Sequence, residues 1–229
     1  MNRYKKLEEQ IGVTFRDATL LDTAFVHRSY INEHREEGRV QNERLEFLGD
    51  AVLELVVTEY LYGHFPTKAE GELTAFRSAL VKGRHLAEIA DSLDLGLYLY
   101  LSHGEEKSGG RKKHYILANT LEALIGAMYL DQGFSVAHDF VSRFILTRLS
   151  DIVENELHVD AKSKLQEITQ ERFGVTPIYK LMEESGPDHD KTFTMAVCIN
   201  DEVLGQGQGS SKQKAEQKAA IDALEKKGW

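Results

Sequence analysis

The chain has 229 residues and a hydrophobic fraction of 41%, enough for one large or two ordinary cores. No apolar run reaches the roughly eighteen residues of a membrane span, so none is expected, and the single cysteine, Cys198, excludes an intramolecular disulfide. The net charge of −9 splits into −4 for residues 1–150 (18 Lys+Arg, 22 Asp+Glu) and −5 for residues 151–229 (10 and 15), so any contact with a polyanion has to come from local basic patches.

Met1–Gln10 is charged and lacks an apolar stretch, so it is not expected to be a secretory signal, and a cytoplasmic location fits the cysteine usage. Residues 1–150 read as helical, with helices expected over Tyr4–Gln10, Asp17–Phe25, Asn42–Tyr62, Glu70–Val81, Gly83–Leu93, His114–Asp131 and Phe134–Leu149. Asp17 and Ser135 sit at plausible helix N-termini, and Gly63-His64-Phe65-Pro66 ends the third helix.

Asn42-Glu43-Arg44-Leu45-Glu46-Phe47-Leu48-Gly49-Asp50 is the most informative stretch. At about 100° per residue, Glu43, Glu46, Asp50 and Glu54 fall within roughly 80° of one another. Leu53 and Val57 lie within or beside that arc, while Leu45, Leu48, Ala51, Val52, Leu55 and Val56 cover most of the rest. Clustered carboxylates repel one another and resist desolvation, and a divalent cation relieves both penalties. The plainer reading is a helix with one wet edge. Further on, Tyr115–Leu130 is almost wholly apolar, which marks a buried helix; Asn119, Thr120, Glu122 and Gly126 interrupt it. Glu122 there needs a partner, and Asn119 lies three residues earlier on the same face. Two such helices could close a metal cage between them. The loop Glu105–Lys113 exposes backbone amides near four cations and reads either as a phosphate contact or as an ordinary solvated loop.

Asp151–Asp160 is acidic, loses the apolar period, and reads as helix tail and linker. A helix is then expected over Ala161–Phe173 and strands over Ile178–Glu183, Thr192–Asn200 and Val203–Gly207. A last helix follows over Ser211–Lys227, with a stripe of Ala215, Ala219, Ala220, Ala223 and Leu224. That order predicts two helices on an antiparallel sheet, making the whole chain α+β.

The nine-residue string from Asn42 to Asp50 resembles the signature of the ribonuclease III family, and Tyr115–Leu130 resembles its second block. Ala24–Tyr30, Glu70–Thr74 with Arg77 and Leu80-Val81, and the loop Glu105–Lys113 resemble intervening segments, so the likeness covers nearly the whole chain. By that resemblance Glu46, Asp50 and Glu122 match three of the family's four metal-site carboxylates, with Asp50 and Glu122 catalytic. Asn119 stands where the family has Asp, offering a carbonyl oxygen without charge. Weaker metal binding and slower cleavage are expected from it. Two origins stay open: a replacement made to hold substrate uncut, or a natural variant. His27 reads as a satisfied structural histidine. Phe47 is either core or, as the resemblance implies, the anchor of a homodimer.

The C-terminal part, with Gly205-x-Gly207-x-Gly209-Ser210-Ser211-Lys212 leading into its last helix, resembles a double-stranded-RNA-binding domain. Carried over, Gln166 and Gln170 match minor-groove positions, His189 and Lys191 a loop entering the next minor groove, and Lys212 and Lys214 phosphate contacts at a helix start. Gln213 replaces a usually basic position. The expected parts are therefore a helical endonuclease domain over 1–150, a linker over 151–159 and an RNA-binding domain over 160–229. The function implied is Mg²⁺-dependent cutting of double-stranded RNA, with Mn²⁺ able to substitute, leaving 5′-phosphate and 3′-hydroxyl ends on ribosomal and other structured precursors. The rivals are a double-stranded-RNA-binding protein that does not cut and a structural helper of the ribosome.

Overall fold

The structure, a computed structural model, describes residues 3–154, 161–187, 191–200 and 202–229. The chain forms two compact units, Met1–His158 and Val159–Trp229. The first is helical: α1 Lys5–Ile11, α2 Ala18–Ala24, α3 Arg28–Glu33, α4 Glu43–His64, α5 Glu70–Leu80, α6 Gly83–Ser92, α7 His103–Lys107, α8 His114–Gln132, α9 Phe134–Phe144 and α10 Leu149–Glu154. The second runs α11 Ala161–Phe173, β1 Ile178–Ser185, β2 Thr192–Ile199, β3 Glu202–Gly209 and α12 Lys212–Lys227.

α8 is the axis of the helical unit. Its residues from Ile116 to Met128 are buried on nearly every side, as its apolar sequence requires. α4 lies against it, contributing Val52, Leu53, Val56, Val57 and Leu61 to the same core, which also takes Leu21, Phe25, Leu80, Leu86 and Phe140. Each large side chain buried there contributes about 1.5–3 kcal/mol. The two helices meet backbone to backbone. A Cβ on Gly49 would overlap the carbonyl oxygen of Glu122, and one on Gly126 would overlap that of Leu45. Asn42 strings this crossing to the rest of the unit: it is buried, its side-chain Nδ2 donates to the Ala24 carbonyl at 3.0 Å, and its backbone N–H donates to Val26 O at 2.9 Å.

Several boundaries depart from expectation for local reasons. The helix expected over Phe134–Leu149 breaks after Phe144, passes through a 3-10 turn at Leu146–Arg148 and resumes as α10. α10 carries helix past residue 150 because Leu149 and Ile152 still bury against the helical core. Ser135, expected at a helix N-terminus, lies inside α9, whose N-cap is Gly133. Asp17 does cap α2, accepting from Thr19 N at 2.8 Å. The short helices α3 and α7 have too few residues for an apolar period. Residues 155–160, the later part of the acidic segment read as linker, lie outside the described residues.

In the second unit the sheet order is β1-β2-β3, antiparallel throughout, with bulges at Leu181/Glu183 and beside Val197/Cys198. Leu165 of α11, Val197 and Ile199 of β2, Leu204 of β3, and Ala219, Ala220, Ala223 and Leu224 of α12 share its core. The spaced glycines of β3 serve that core. A Cβ on Gly205, Gly207 or Gly209 would strike the α12 backbone around Ala215, Ala219 and Ala223, so glycine on the strand and alanine on the helix allow the two to touch.

The crossing predicts an asymmetry among α4 glycines. Gly49→Ala should destabilise the helical unit by about 3 kcal/mol, because backbone of α8 has to move. Gly63→Ala, where no atom lies within 4 Å of the added Cβ, should be neutral or stabilising by about 0.5–1 kcal/mol. Urea unfolding followed by helical circular dichroism separates the two; equal effects would contradict this account of the crossing.

Candidate functional site

The α4–α8 contact brings together all four residues singled out as metal ligands. Gly49 lies one residue before Asp50 and three after Glu46, and it packs on the backbone of Glu122 itself. Asn119, one turn earlier on α8, donates from Nδ2 to Glu46 Oε1 at 2.8 Å. Glu46, Asn119 and Glu122 are half-buried, while Asp50 is exposed. Glu122 has no hydrogen bond or ion pair among the described residues. Burial first, and then the charges of Asp50 and Glu46, push its carboxyl up to about 7. Glu46 is raised as well, by burial, against the lowering effect of the Asn119 bond.

The set therefore carries excess negative charge and a carboxylate without a partner. Its donors are all hard oxygens once Asn119 presents Oδ1 rather than Nδ2. That chemistry fits a divalent cation such as Mg²⁺ or Mn²⁺. Among the described residues no three His, Cys, Asp or Glu side chains stand close enough to hold a metal as they are. Asn119 donates its amide to Glu46 and would have to turn to offer Oδ1.

A cavity of about 320 Å³ opens beside this cluster, lined by His27, Arg28, Asn42, Glu43, Glu46, Tyr115, Ile116 and Asn119. His27 is indeed structural, since Nδ1 accepts from Ser29 N at 3.3 Å as the cap of α3. It also lines the cavity beside the carboxylates, a position that no local pattern in the sequence indicates. Arg28 and Glu43 form a loose, exposed ion pair at 3.8 Å. Neither Arg28 nor Tyr115 stood out in the sequence, because a short helix start and an apolar run hide them.

In the loop Glu105–Lys113, read either as a phosphate contact or as a solvated loop, two of the four cations are engaged within the protein. Arg111 is tied to Glu106 at 2.7 Å and to the carbonyls of Gly96 and Leu99 at 2.9 and 3.0 Å. Lys113 is tied to Glu105 at 2.6 Å and Ser108 at 2.8 Å. Lys107 and Lys112 are the exposed cations left over. Phe47 is 80% exposed, which removes the reading of it as core of its own chain; Leu55 and Tyr62 are also exposed on α4.

In the second unit, Gln166 and Gln170 lie exposed one turn apart on α11. Ser211 caps α12, accepting from Lys214 N at 3.3 Å, and Lys212 and Lys214 are exposed at that helix start. Lys191 is held by Glu184 at 2.7 Å instead of reaching freely outward. His189 lies outside the described residues.

The raised Glu122 carboxyl makes a stability prediction for the metal-free chain. Its stabilising contribution is fully present below the ordinary value of 4.5 and is lost as pH rises through about 7, because the folded state must then ionise a desolvated acid beside Asp50 and Glu46. In chelator, Glu122→Gln should match the parent near pH 4.5 and exceed it at pH 8 by on the order of 2 kcal/mol, after discounting for partial exposure. Urea midpoints measured across this range check it; parallel profiles for the two chains would refute it.

Comparison with known proteins agrees with both units. A family profile described as Ribonuclease-III-like matches residues 17–149, and one described as Double-stranded RNA binding motif matches residues 161–227. The chain is 47% identical to Ribonuclease 3 of Desulforamulus reducens over 220 residues, 96% of this chain and 89% of that one. It is 45% identical to Ribonuclease 3 of Listeria welshimeri over 224 residues, 98% and 97%. The crystal structure of the nuclease domain of ribonuclease III from Campylobacter jejuni is similar at 44% identity and a TM-score of 0.59, covering 65% of this chain and 97% of that one. The chain belongs to the ribonuclease III family of metal-dependent, double-stranded-RNA endoribonucleases.

Proposed function

We propose that the chain cuts double-stranded RNA with Mg²⁺, or Mn²⁺ in its place, at the Glu46–Asp50–Glu122 cluster, leaving 5′-phosphate and 3′-hydroxyl ends. The observation that carries this reading is the half-buried Glu122, without a hydrogen bond or ion pair among the described residues, whose carboxyl is raised by burial and by the charges of Asp50 and Glu46 at a backbone-tight helix crossing. A bound divalent ion supplies Lewis acidity and a lowered water pKa there. Glu46, Asp50 and Glu122 hold that charge in place. The rigid α4–α8 contact keeps them aligned while a phosphodiester docks. Asn119 contributes an uncharged oxygen where a fourth carboxylate would bind more strongly, so metal affinity and rate are reduced.

The remaining assignments follow from exposure and chemistry. Gln166 and Gln170 suit 2′-hydroxyls, since amides both donate and accept, and Lys212 and Lys214 at the α12 start suit phosphates. His189 and Lys191 are assigned to the loop contact, with Lys191 released from Glu184 on binding. Phe47 anchors a homodimer: an 80% exposed aromatic flanked by Leu55 and Tyr62 needs cover. One Campylobacter jejuni nuclease-domain structure, 45% identical, is described as flexible in a region involved in dimer formation. The expected substrates are structured precursors, ribosomal RNA among them, in the cytoplasm. No helix among the described residues is long and apolar enough to cross a membrane. Retention of three carboxylates weighs against the non-cutting alternative.

Cleavage of a long perfect RNA duplex tests the site. The Asn119→Asp chain should cut at least about tenfold faster than the parent at limiting Mg²⁺, with the gap narrowing as metal saturates. Cutting by neither chain, with duplex binding intact, would leave a binding protein. For the second unit, Lys212→Ala should weaken duplex binding evenly across sequences and lower the salt slope by about 1. Unchanged affinity and slope would remove Lys212 from the interface.

A further inference from the structure

Few side chains hold α11 in the second unit. Its buried residues are Ala161, Leu165 and Thr169, and Ile168 is half-buried, so Leu165 is the large apolar group it commits fully. The helix rests chiefly on α12. Its first turn is tied there by Lys162, whose Nζ meets Glu216 Oε2 at 2.6 Å. Its far end meets Trp229, the single tryptophan of the chain. The end of α12 sets the course to that contact. Gly228 takes φ +64°, its N–H donates to Glu225 O at 3.2 Å, and the Trp229 N–H donates to Leu224 O at 2.9 Å. This pair of bonds turns the chain back and brings the residue after the glycine onto the apolar side of the helix. Trp229 is accordingly half-buried against the core of the unit. Its ring centroid lies 5.7 Å from that of Phe173, and the Arg172 guanidinium carbon stands 5.4 Å from it. Its carbonyl accepts a long bond from Lys164 Nζ at 3.5 Å.

Helical spacing separates this anchor from the exposed amides. At about 100° per residue, Lys164, Ile168 and Arg172 span an arc of about 80°, whereas Gln166 and Gln170 lie about 200° and 240° around from Lys164. Trp229 therefore bears on α11 from behind the face that carries the two glutamines. A large ring with few rotatable bonds suits that task. The other end of α12 presents Lys212 and Lys214, so one helix carries the cations at its start and steadies the amides of α11 at its finish. We propose that Trp229 is a positioning residue for duplex binding. It holds α11 where Gln166 and Gln170 reach 2′-hydroxyls at the same time as Lys212 and Lys214 reach phosphates. The proposal rests on the RNA-binding reading of those four residues and deepens it, because affinity for duplex then depends on a side chain that does not touch the RNA.

The test measures the affinity of the full chain for a perfect RNA duplex in chelator, so that no cutting intervenes. Trp229→Ala should weaken binding about tenfold, the worth of one or two misaligned hydrogen bonds. Trp229→Phe should recover most of the loss, since a phenyl ring still packs on Phe173 and Arg172. Combination with Gln166→Ala and Gln170→Ala locates the effect. Trp229→Ala should add little to that pair and should add in full to Lys212→Ala. Unchanged affinity for Trp229→Ala overturns the proposal and leaves the RNA-binding reading standing. Non-additivity with both partners, which general loss of the unit's fold produces, also overturns it. Fluorescence of the single tryptophan gives an independent readout. Acrylamide should quench the parent equally with and without duplex, because the ring lies behind the RNA-facing side of α11. Strong protection by duplex would make Trp229 a contact residue and overturn the positioning role. Failure of the parent to bind duplex overturns the RNA-binding reading and this proposal with it.

Discussion

The approach of α4 to α8 at Gly49 and Gly126 is the constraint on which the helical unit depends. Two helices normally stand 8–10 Å apart, separated by side chains. Here glycine on each removes that spacer where they cross, and carbonyl oxygens of one helix occupy the room a Cβ would need on the other. Such closeness leaves little play along or around either axis. It is what allows short side chains from two different helices to address the same volume. The neighbours of the glycines, Glu46 and Asp50 on one side and Asn119 and Glu122 on the other, inherit that precision. Apolar burial on the far faces of both helices offsets the cost of placing carboxylates between them.

That cost is visible in the acids themselves. Glu122 and Glu46 are both raised by burial, and each is raised further by Asp50. A protein stabilised for its own sake would place apolar groups here. Asn119 offers partial relief through its bond to Glu46, at the expense of one negative charge in the ligand set. The same residue thus steadies Glu46 and, in the proposed metal site, would supply an oxygen without charge.

Much of this was legible in the sequence. The arc of Glu43, Glu46 and Asp50 follows from helical periodicity, and the burial of α8 follows from its unbroken apolar run. The helix, three strands and helix of the second unit follow from the change of period. What the sequence concealed depended on contacts between distant segments. The glycines of β3 read as a lead-in to an anion site, but their close fit to the α12 alanines is seen only once the strand lies on the helix. The cavity joins the start of α3 to the starts of α4 and α8, so no local pattern announces it. The four cations of the Glu105–Lys113 loop looked alike in sequence, and only geometry divides them into two tethered and two exposed. Phe47 could be core or interface on pattern alone, and its exposure decides against core.

The tethering in that loop bears on how the protein searches. Arg111 and Lys113 are spoken for by Glu106 and Glu105, Lys191 is held by Glu184, and the chain as a whole is acidic. Long-range attraction to nucleic acid is therefore weak, and residence on any chance stretch of polyanion is brief. Encounters end quickly unless a groove of the right width meets several contacts at once. Such a protein trades capture rate for turnover of wrong encounters, and in a cell crowded with single-stranded RNA and DNA it stays free to sample the few duplexes that fit.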